Sequence, residues 1–164
     1  LFGFDDLRRF NTLQESVIPV YGSAATMDEM RRIFAYAFAP APPGLYRPQV
    51  TLHPVEGPFA LGGVRVTPVP VWHGGIATFG YRLDAGGRSA GYVPDCRSMT
   101  DEAAASFAGV DVMILDALRH APHFSHSHLA ASLDLLARIG AARSFLTHMC
   151  HDIDHEAVQA RLPA

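Results

Sequence analysis

The sequence predicts an α/β fold built on a mixed sheet. Three strand-like runs, the first of them rich in valine, follow one another between Val64 and Val93. They are separated by Gly74-Gly75 and Gly86-Gly87, pairs that favour tight turns. Strand-like and helical segments then alternate up to Thr147, as they do where crossover helices join parallel strands. We therefore expect an antiparallel meander that continues into a parallel sheet.

The amino-terminal third predicts short elements around an apolar cluster. A short amphipathic helix is expected at residues 1–10, where Phe2, Leu7 and Phe10 share one face, and a strand at residues 17–21. A second helix is expected to begin at Thr26, which has capping-box spacing to a glutamate. Its apolar residues recur at helical intervals and predict a buried face: Met27, Met30, Phe34 and Phe38.

Residues 39–48 contain four prolines and predict a stiff loop, because proline neither continues a helix nor pairs in a central strand. We favour a simple connector. The alternative is a lid whose Tyr46 and Arg47 contact an anionic substrate. Strands are expected to follow at residues 49–55 and at Phe59–Leu61.

The rest of the chain predicts a series of strands and helices. The strands are expected at Val64–His73, residues 76–83, Arg88–Val93, residues 110–115 and Arg143–Thr147. The helices are expected at residues 98–107, at residues 127–139 and, as a last short helix, after residue 150.

Polar side chains that could bind a ligand follow four of these strands. They are His73, Asp95, Asp116 and His148. The first and third strands of a meander run in the same direction, and right-handed crossovers make the later strands parallel. Because ligands bind outside the carboxyl ends of strands in α/β sheets, the four side chains predict a site on one edge of the sheet.

Several histidines follow one another between the strand predicted at residues 110–115 and the helix that comes after it. They are His120, His123, His126 and His128. Imidazole is a common metal ligand and acid–base group. At a helix start, His126 and His128 would lie about 200° apart around the axis, so we do not expect them to bind one ion as a pair. His151 and His155, four residues apart, are expected on the surface of the last helix.

Composition narrows the class of protein. The 164 residues suit a single domain over residues 1–164, and the net charge of -3 without a basic cluster argues against nucleic-acid and membrane-surface partners. No apolar run is long enough for a transmembrane helix, and the charged start is unlike a signal peptide. Cys96 and Cys150 lie far apart and predict reduced thiols in the cytoplasm.

Five segments in order resemble the metallo-β-lactamase superfamily, and within it the cyclic phosphodiesterase (PhnP-like) branch of phosphonate breakdown. They are V-T-P-V-P-V-W-H-G, T-F-G-Y-R-L, G-Y-V-P-D, V-M-I-L-D and F-L-T-H-M-C-H-D-I-D-H. The resemblance implies an αββα sandwich that binds two divalent metal ions, zinc or manganese. The family's H-x-H-x-D-H segment is absent from this sequence, so we expect an incomplete sandwich that lacks the first strands and the ligands of that segment.

The resemblance also implies roles for single residues. His73 matches the family's lone histidine ligand, Asp95 the bridging carboxylate and His148 the final histidine ligand. His126 resembles the catalytic histidine near the scissile phosphate, which is not a ligand. Asp116 is expected to support a ligand rather than to bind metal itself.

The function implied is hydrolysis of a small phosphodiester, such as a cyclic sugar phosphate or a nucleotide-like ester, by hydroxide activated between the two ions. Three alternatives stay open: a thioester or lactone hydrolase of the same fold, a nuclease, against which the charge argues, and a non-catalytic metal-binding or scaffold module. Exposed aromatic residues such as Tyr46 are compatible with a homodimer.

Overall fold

The computed structural model describes residues 2–40 and 44–162, and the chain divides into two compact units, Leu1–Glu56 and Gly57–Ala164. No helix among these described residues combines the length and hydropathy needed to cross a bilayer. The single domain expected over residues 1–164 stays a prediction.

The first unit is a small helical layer with a two-stranded sheet. After a 3₁₀ turn at Phe2–Asp6, its elements are α1 (Leu7–Gln14), β1 (Ile18–Gly22), α2 (Ala24–Ile33), α3 (Ala35–Phe38) and β2 (Val50–Pro54). Strand β1 pairs with β2 in parallel, with Ile18 opposite Val50. The part of the proline-rich loop at residues 41–43 lies outside the described residues.

The residues that fill the core of the first unit differ from those predicted from the sequence. Phe4 is buried against Phe34, with ring centroids 4.4 Å apart, whereas Phe10 is 50% and Phe38 37% exposed. The 3₁₀ turn has three residues per turn, so the helical spacing that grouped Phe10 with the core does not apply across it. Helix α2 ends at Ile33, with Phe34 as its C-cap, so its apolar spacing does not continue to Phe38 in α3. The prediction that Phe10 and Phe38 are core residues is wrong.

Helix α2 begins earlier than predicted. Ser23 is its N-cap, and the Ser23 side chain accepts a hydrogen bond of 3.1 Å from the Thr26 amide. Thr26 thus lies inside the first turn rather than at the cap.

In the proline-rich loop, Tyr46 and Arg47 donate to the backbone oxygens of Arg8 and Tyr36, at 3.2 and 2.9 Å. These contacts suit the interpretation of the loop as a simple connector.

The second unit contains the mixed sheet. Its elements are β3 (Phe59–Leu61), β4 (Val64–His73), β5 (Ile76–Ala85), β6 (Arg88–Val93), α4 (Asp101–Ser106), β7 (Val112–Asp116), α5 (Leu129–Ile139), β8 (Arg143–Thr147) and α6 (His155–Gln159). The strand order is β3-β4-β5-β6-β7-β8, antiparallel up to β6 and parallel from β6 to β8. The predicted meander with a parallel extension is confirmed.

Helices α4 and α5 contribute to the main core on one face of this sheet. The core joins side chains of four strands to those of the two helices, among them Val71, Val93, Met113, Leu115, Phe107 and Leu136. Helix α4 begins later than predicted because Thr100 caps it, accepting a 3.2 Å hydrogen bond from the Ala103 amide. These elements fix the strand ends on which the candidate site lies.

Candidate metal centre

Four strand ends meet at the same edge of the sheet, as the sequence predicts. Strand β4 ends at His73, and β7 ends at Asp116. Asp95 lies two residues beyond β6, and His148 directly follows β8. These four strands run in the same direction, so their carboxyl ends share one edge.

The side chains at this edge converge. His148 Nε2 lies 3.0 Å from Asp95 Oδ1, and the His126 ring centroid lies 4.5 Å from that of His73 and 4.6 Å from that of His148. Two overlapping groups each bring three possible ligand atoms within 4.8 Å of one another: His73, Asp95 and His126, and Asp116, His126 and His148. His126 belongs to both groups.

The donor set suits a divalent metal ion. Mixed imidazole and carboxylate ligation is typical of zinc, manganese and iron sites. In addition, His73 Nδ1 is buried and has no hydrogen-bond partner among the described residues, which is costly for a polar atom unless a ligand satisfies it. His73, Asp95 and His148 therefore fit the metal that the family resemblance implies.

His126 is held by a buried carboxylate. Its Nδ1 lies 2.6 Å from Asp116 Oδ2, and Asp116 is completely buried. The same oxygen accepts a 2.9 Å hydrogen bond from the Cys96 amide. Because a carboxylate accepts the Nδ1 proton, Nε2 is the ring nitrogen of His126 that remains for a substrate or a metal.

A buried serine, which the sequence does not single out, supports the backbone of Asp116. The Ser132 hydroxyl lies 2.6 Å from the backbone oxygen of Asp116 and 2.7 Å from Ser127 Oγ, and Ser132 is fully buried in α5. The signal in the sequence is weak: a single serine in a helix that is mostly apolar. Its role depends on contact with β7, which lies earlier in the chain.

The remaining histidines of the loop differ in position. His123 Nδ1 lies 3.2 Å from Ser125 Oγ, and the His123 ring centroid lies 5.4 Å from that of His126. Burial first, and then the positive charge of Arg119, lower the pKa of His123 from its usual value. His120 instead lines a cavity of about 280 Å³ beside α5 and α6.

The helical positions predicted for two histidine pairs are wrong. His126 and His128 were expected at a helix start, but α5 begins at Leu129 and both residues precede it; His128 belongs to neither group of possible ligands that contains His126. His151 and His155 do not share a helix either, since α6 begins at His155. His151 is instead grouped with Cys150 and Asp152, whose possible ligand atoms lie within 4.8 Å of one another.

Two further features lie at this edge of the sheet: the backbone conformation of His148 and the buried thiol of Cys96. His148 has a positive φ of 61°, an uncommon conformation for a residue other than glycine, and such conformations cluster at functional sites. Next to Asp95, the buried Cys96 thiol has a pKa raised to about 12, first by burial and then by the Asp116 charge. Cys96 is therefore a packing residue, not a nucleophile.

Together, the α/β fold and the histidine–aspartate edge define a metallohydrolase-like class of domain. Residues 1–149 match the protein family described as the Beta-lactamase superfamily domain. The chain belongs to this family.

Similarities to solved structures show which members of the family the chain resembles. It is 34% identical to a diphosphatase from the PhnP family, with a TM-score of 0.80, over 91% of this chain and 54% of that one. It is also similar in fold to the metallo-β-lactamase fold protein YhfI from Bacillus subtilis, at 17% identity and a TM-score of 0.74, over 94% of this chain and 61% of that one. The predicted superfamily and its PhnP-like branch are confirmed.

Among curated proteins, the chain is similar to an octanoyltransferase from Porphyromonas gingivalis. The identity is 26% over 151 residues, which make up 91% of this chain and 30% of that protein. The chain thus spans about half of the PhnP-family structure and less than a third of this relative. The roles of His73, Asp95, His126 and His148 are not tested by these similarities and stay predictions.

Proposed function

We propose that this chain forms part of a metal-dependent phosphoester hydrolase that acts on a small phosphodiester. The observation that carries the proposal is the convergence of His73, Asp95, His126 and His148 at one edge of the sheet. The 34% identity to a diphosphatase supports phosphorus as the reacting centre.

His73, Asp95 and His148 would hold the metal, which we propose to be two zinc or manganese ions. When bound, such ions supply Lewis-acid polarisation of a phosphoryl oxygen and activate water as the nucleophile. The exposed fractions of the Asp95 and His148 side chains, 50% and 41%, leave both accessible to ions and substrate.

His126 would act on the substrate through Nε2. Asp116 fixes the ring from the opposite side through Nδ1, so the imidazole can bind a phosphate oxygen or give a proton to the leaving alkoxide without reorienting. The product would be a phosphomonoester. The homodimer, the cytoplasmic location and the lack of nucleic-acid and membrane partners stay proposals alongside this one.

The test compares substrates in the full-length protein loaded with Mn²⁺ or Zn²⁺. We expect hydrolysis of bis-p-nitrophenyl phosphate to exceed that of an octanoyl thioester, which represents the acyl chemistry named for the octanoyltransferase relative. A preference for the thioester, or no metal-dependent hydrolysis of either compound, would overturn the proposal.

A second arm separates catalysis from metal binding. His126→Ala should lower phosphodiester turnover by about 10²–10⁴-fold and leave the metal content measured by plasma mass spectrometry unchanged. His73→Ala should lower the metal content itself. His128→Ala, a histidine of the same loop, is the matched control and should change neither quantity. Loss of metal from the His126 variant would instead make His126 a ligand.

A further inference from the structure

Large apolar side chains stand exposed beside the candidate metal centre. Phe124 is 74% and Ile76 69% exposed, the two highest values among the large hydrophobic residues described, and Met149 is 40% exposed. Phe124 precedes His126 by two residues, and Ile76 is the register partner of His73. Met149 directly follows His148. A polar site is thus bordered by apolar surface.

The loop that presents Phe124 is tied to its neighbours. The Phe124 carbonyl accepts a 2.8 Å hydrogen bond from the Arg97 guanidinium, and the Ser125 carbonyl accepts one of 3.2 Å from the Gly74 amide. The Ser127 amide donates to the Cys96 carbonyl at 2.7 Å. The backbone under the exposed ring is therefore held on both sides, so a ligand that binds the ring does not have to order the loop.

The ring lies at the edge of the histidine cluster. A methyl group added to Gly74, which follows His73, would lie 3.9 Å from Phe124 Cδ2. The Phe124 and His123 ring centroids are 4.7 Å apart, and those of His123 and His126 are 5.4 Å apart. A ligand that contacts both Phe124 and His126 therefore needs to be no longer than a nucleoside 5′-phosphate.

A phenylalanine that is 74% exposed gains little hydrophobic stabilisation from folding, because that term follows the apolar area removed from water. Exposed apolar surface bordered by polar residues is typical of ligand-binding sites. An aromatic ring in such a surface can stack on a nucleobase, whatever the base.

We propose that Phe124 stacks on the nucleobase of the substrate, so that the site takes phosphoesters of nucleosides. The phosphoryl group would lie at the histidines and Asp95, and the base on the Phe124 ring. The position of the phosphoryl group rests on the proposed function, whereas the preference for a base rests on Phe124.

The test compares two ligands that share the sugar phosphate and differ in the base. Isothermal titration calorimetry of the Mn²⁺-loaded full-length protein would give the Kd values of adenosine 5′-monophosphate and ribose 5-phosphate. We expect the nucleotide to bind about 10-fold more tightly, in line with the stacking of one base on an aromatic ring. Phe124→Ala should abolish this preference, and Phe124→Trp should keep it.

Phe145→Ala is the matched control, since Phe145 is another exposed phenylalanine of the second unit whose ring contacts Arg143. It should leave the preference unchanged. Equal affinity for the two ligands in the wild type, no binding of the nucleotide, or a preference that survives Phe124→Ala would overturn the inference. A preference that depends on Phe124 in a protein without phosphodiesterase activity would instead overturn only the proposed function.

Discussion

The Asp116 carboxylate is completely buried and holds two partners through one oxygen. Oδ2 lies 2.6 Å from His126 Nδ1 and 2.9 Å from the Cys96 amide nitrogen. The other oxygen, Oδ1, is buried without a hydrogen-bond partner among the described residues. One side chain thus fixes both the orientation of the proposed catalytic ring and the backbone next to the Asp95 carboxylate.

Replacing Asp116 should therefore cost stability as well as activity. We expect Asp116→Ala to lower the free energy of unfolding by about 1–3 kcal/mol, because the buried Cys96 amide loses its acceptor. Phosphodiester turnover should fall too, since His126 is no longer oriented. Urea unfolding and a kinetic assay measure the two effects. Asp116→Asn retains an acceptor oxygen, so it should lose less stability than the alanine variant; equal losses would contradict this account.

At the scale of elements, close packing between the sheet and α4 depends on two strand glycines. A Cβ at Gly91 of β6 would lie 2.4 Å from Met113 Sδ and 2.8 Å from Phe107 Cδ1, and a Cβ at Gly80 of β5 would lie 2.6 Å from Val93 Cγ2. Phe107, fully buried at the end of α4, and Met113 occupy the space beside Gly91. Glycine within a strand is otherwise unfavourable.

Gly91→Ala should destabilise the second unit by about 1–3 kcal/mol, the usual cost of overpacking a core. Thermal and urea unfolding would measure the loss. Gly57→Ala is the control, because nothing lies within 4 Å of a Cβ at that position, and its stability should stay close to that of the wild type. A Gly91 variant as stable as the Gly57 variant would show that Met113 and Phe107 can move aside.

The starts of β6 and β7 are joined by Asp111. Its carboxylate accepts hydrogen bonds from the Ser89 amide at 2.7 Å, the Ser89 hydroxyl at 3.1 Å and the Arg88 guanidinium at 3.2 Å. These bonds, the Ser89 amide first, lower the pKa of Asp111 below its usual value. The charged form is thus favoured in the folded state.

The pH dependence of stability follows from this shift. Because the pKa of Asp111 is lower in the folded state, its contribution is present above the unfolded pKa, about 3.9, and is lost as the pH falls through the folded value. Asp111→Asn should therefore reduce stability at pH 7, and the difference from the wild type should shrink toward pH 3. Urea unfolding at the two pH values tests this. A difference that does not depend on pH would exclude the charge as its origin.

At the scale of the whole molecule, the candidate ligands come from strands that are far apart in sequence but share one sheet edge. His73 and His148 are separated by most of the second unit, and both come to lie beside His126 only when β4 to β8 have assembled. A metal ion held at this edge would bind the folded unit and not the unfolded chain.

Added Mn²⁺ or Zn²⁺ should consequently raise the thermal unfolding temperature. Mass action gives about 2.7 kcal/mol of stabilisation at a free metal concentration 100 times the Kd. Differential scanning fluorimetry with and without a chelator would measure the shift. The double variant His73→Ala with His148→Ala should show almost none of it, and a shift as large as that of the wild type would place the metal elsewhere.

Local signals in the sequence are enough to predict the mixed sheet and the edge on which the candidate site lies. Strand alternation, glycine turns and intervening helices are local signals, and the direction of each strand follows from its connections, so the positions of His73, Asp95, Asp116 and His148 at strand ends could be predicted. The exposed Phe124 and the supporting Ser132 could not, since nothing local distinguishes them from other loop and helix residues.

The packing of distant segments sets which side chains pair and which residues fill the cores. The Asp116 contact to His126, the Ser132 hydroxyl beneath it and the replacement of Phe10 by Phe4 in the first core each depend on how elements pack. Periodicity indicates that a side chain faces inward, but its partner is selected by the shape and polarity of segments distant in sequence, which meet only in the folded chain.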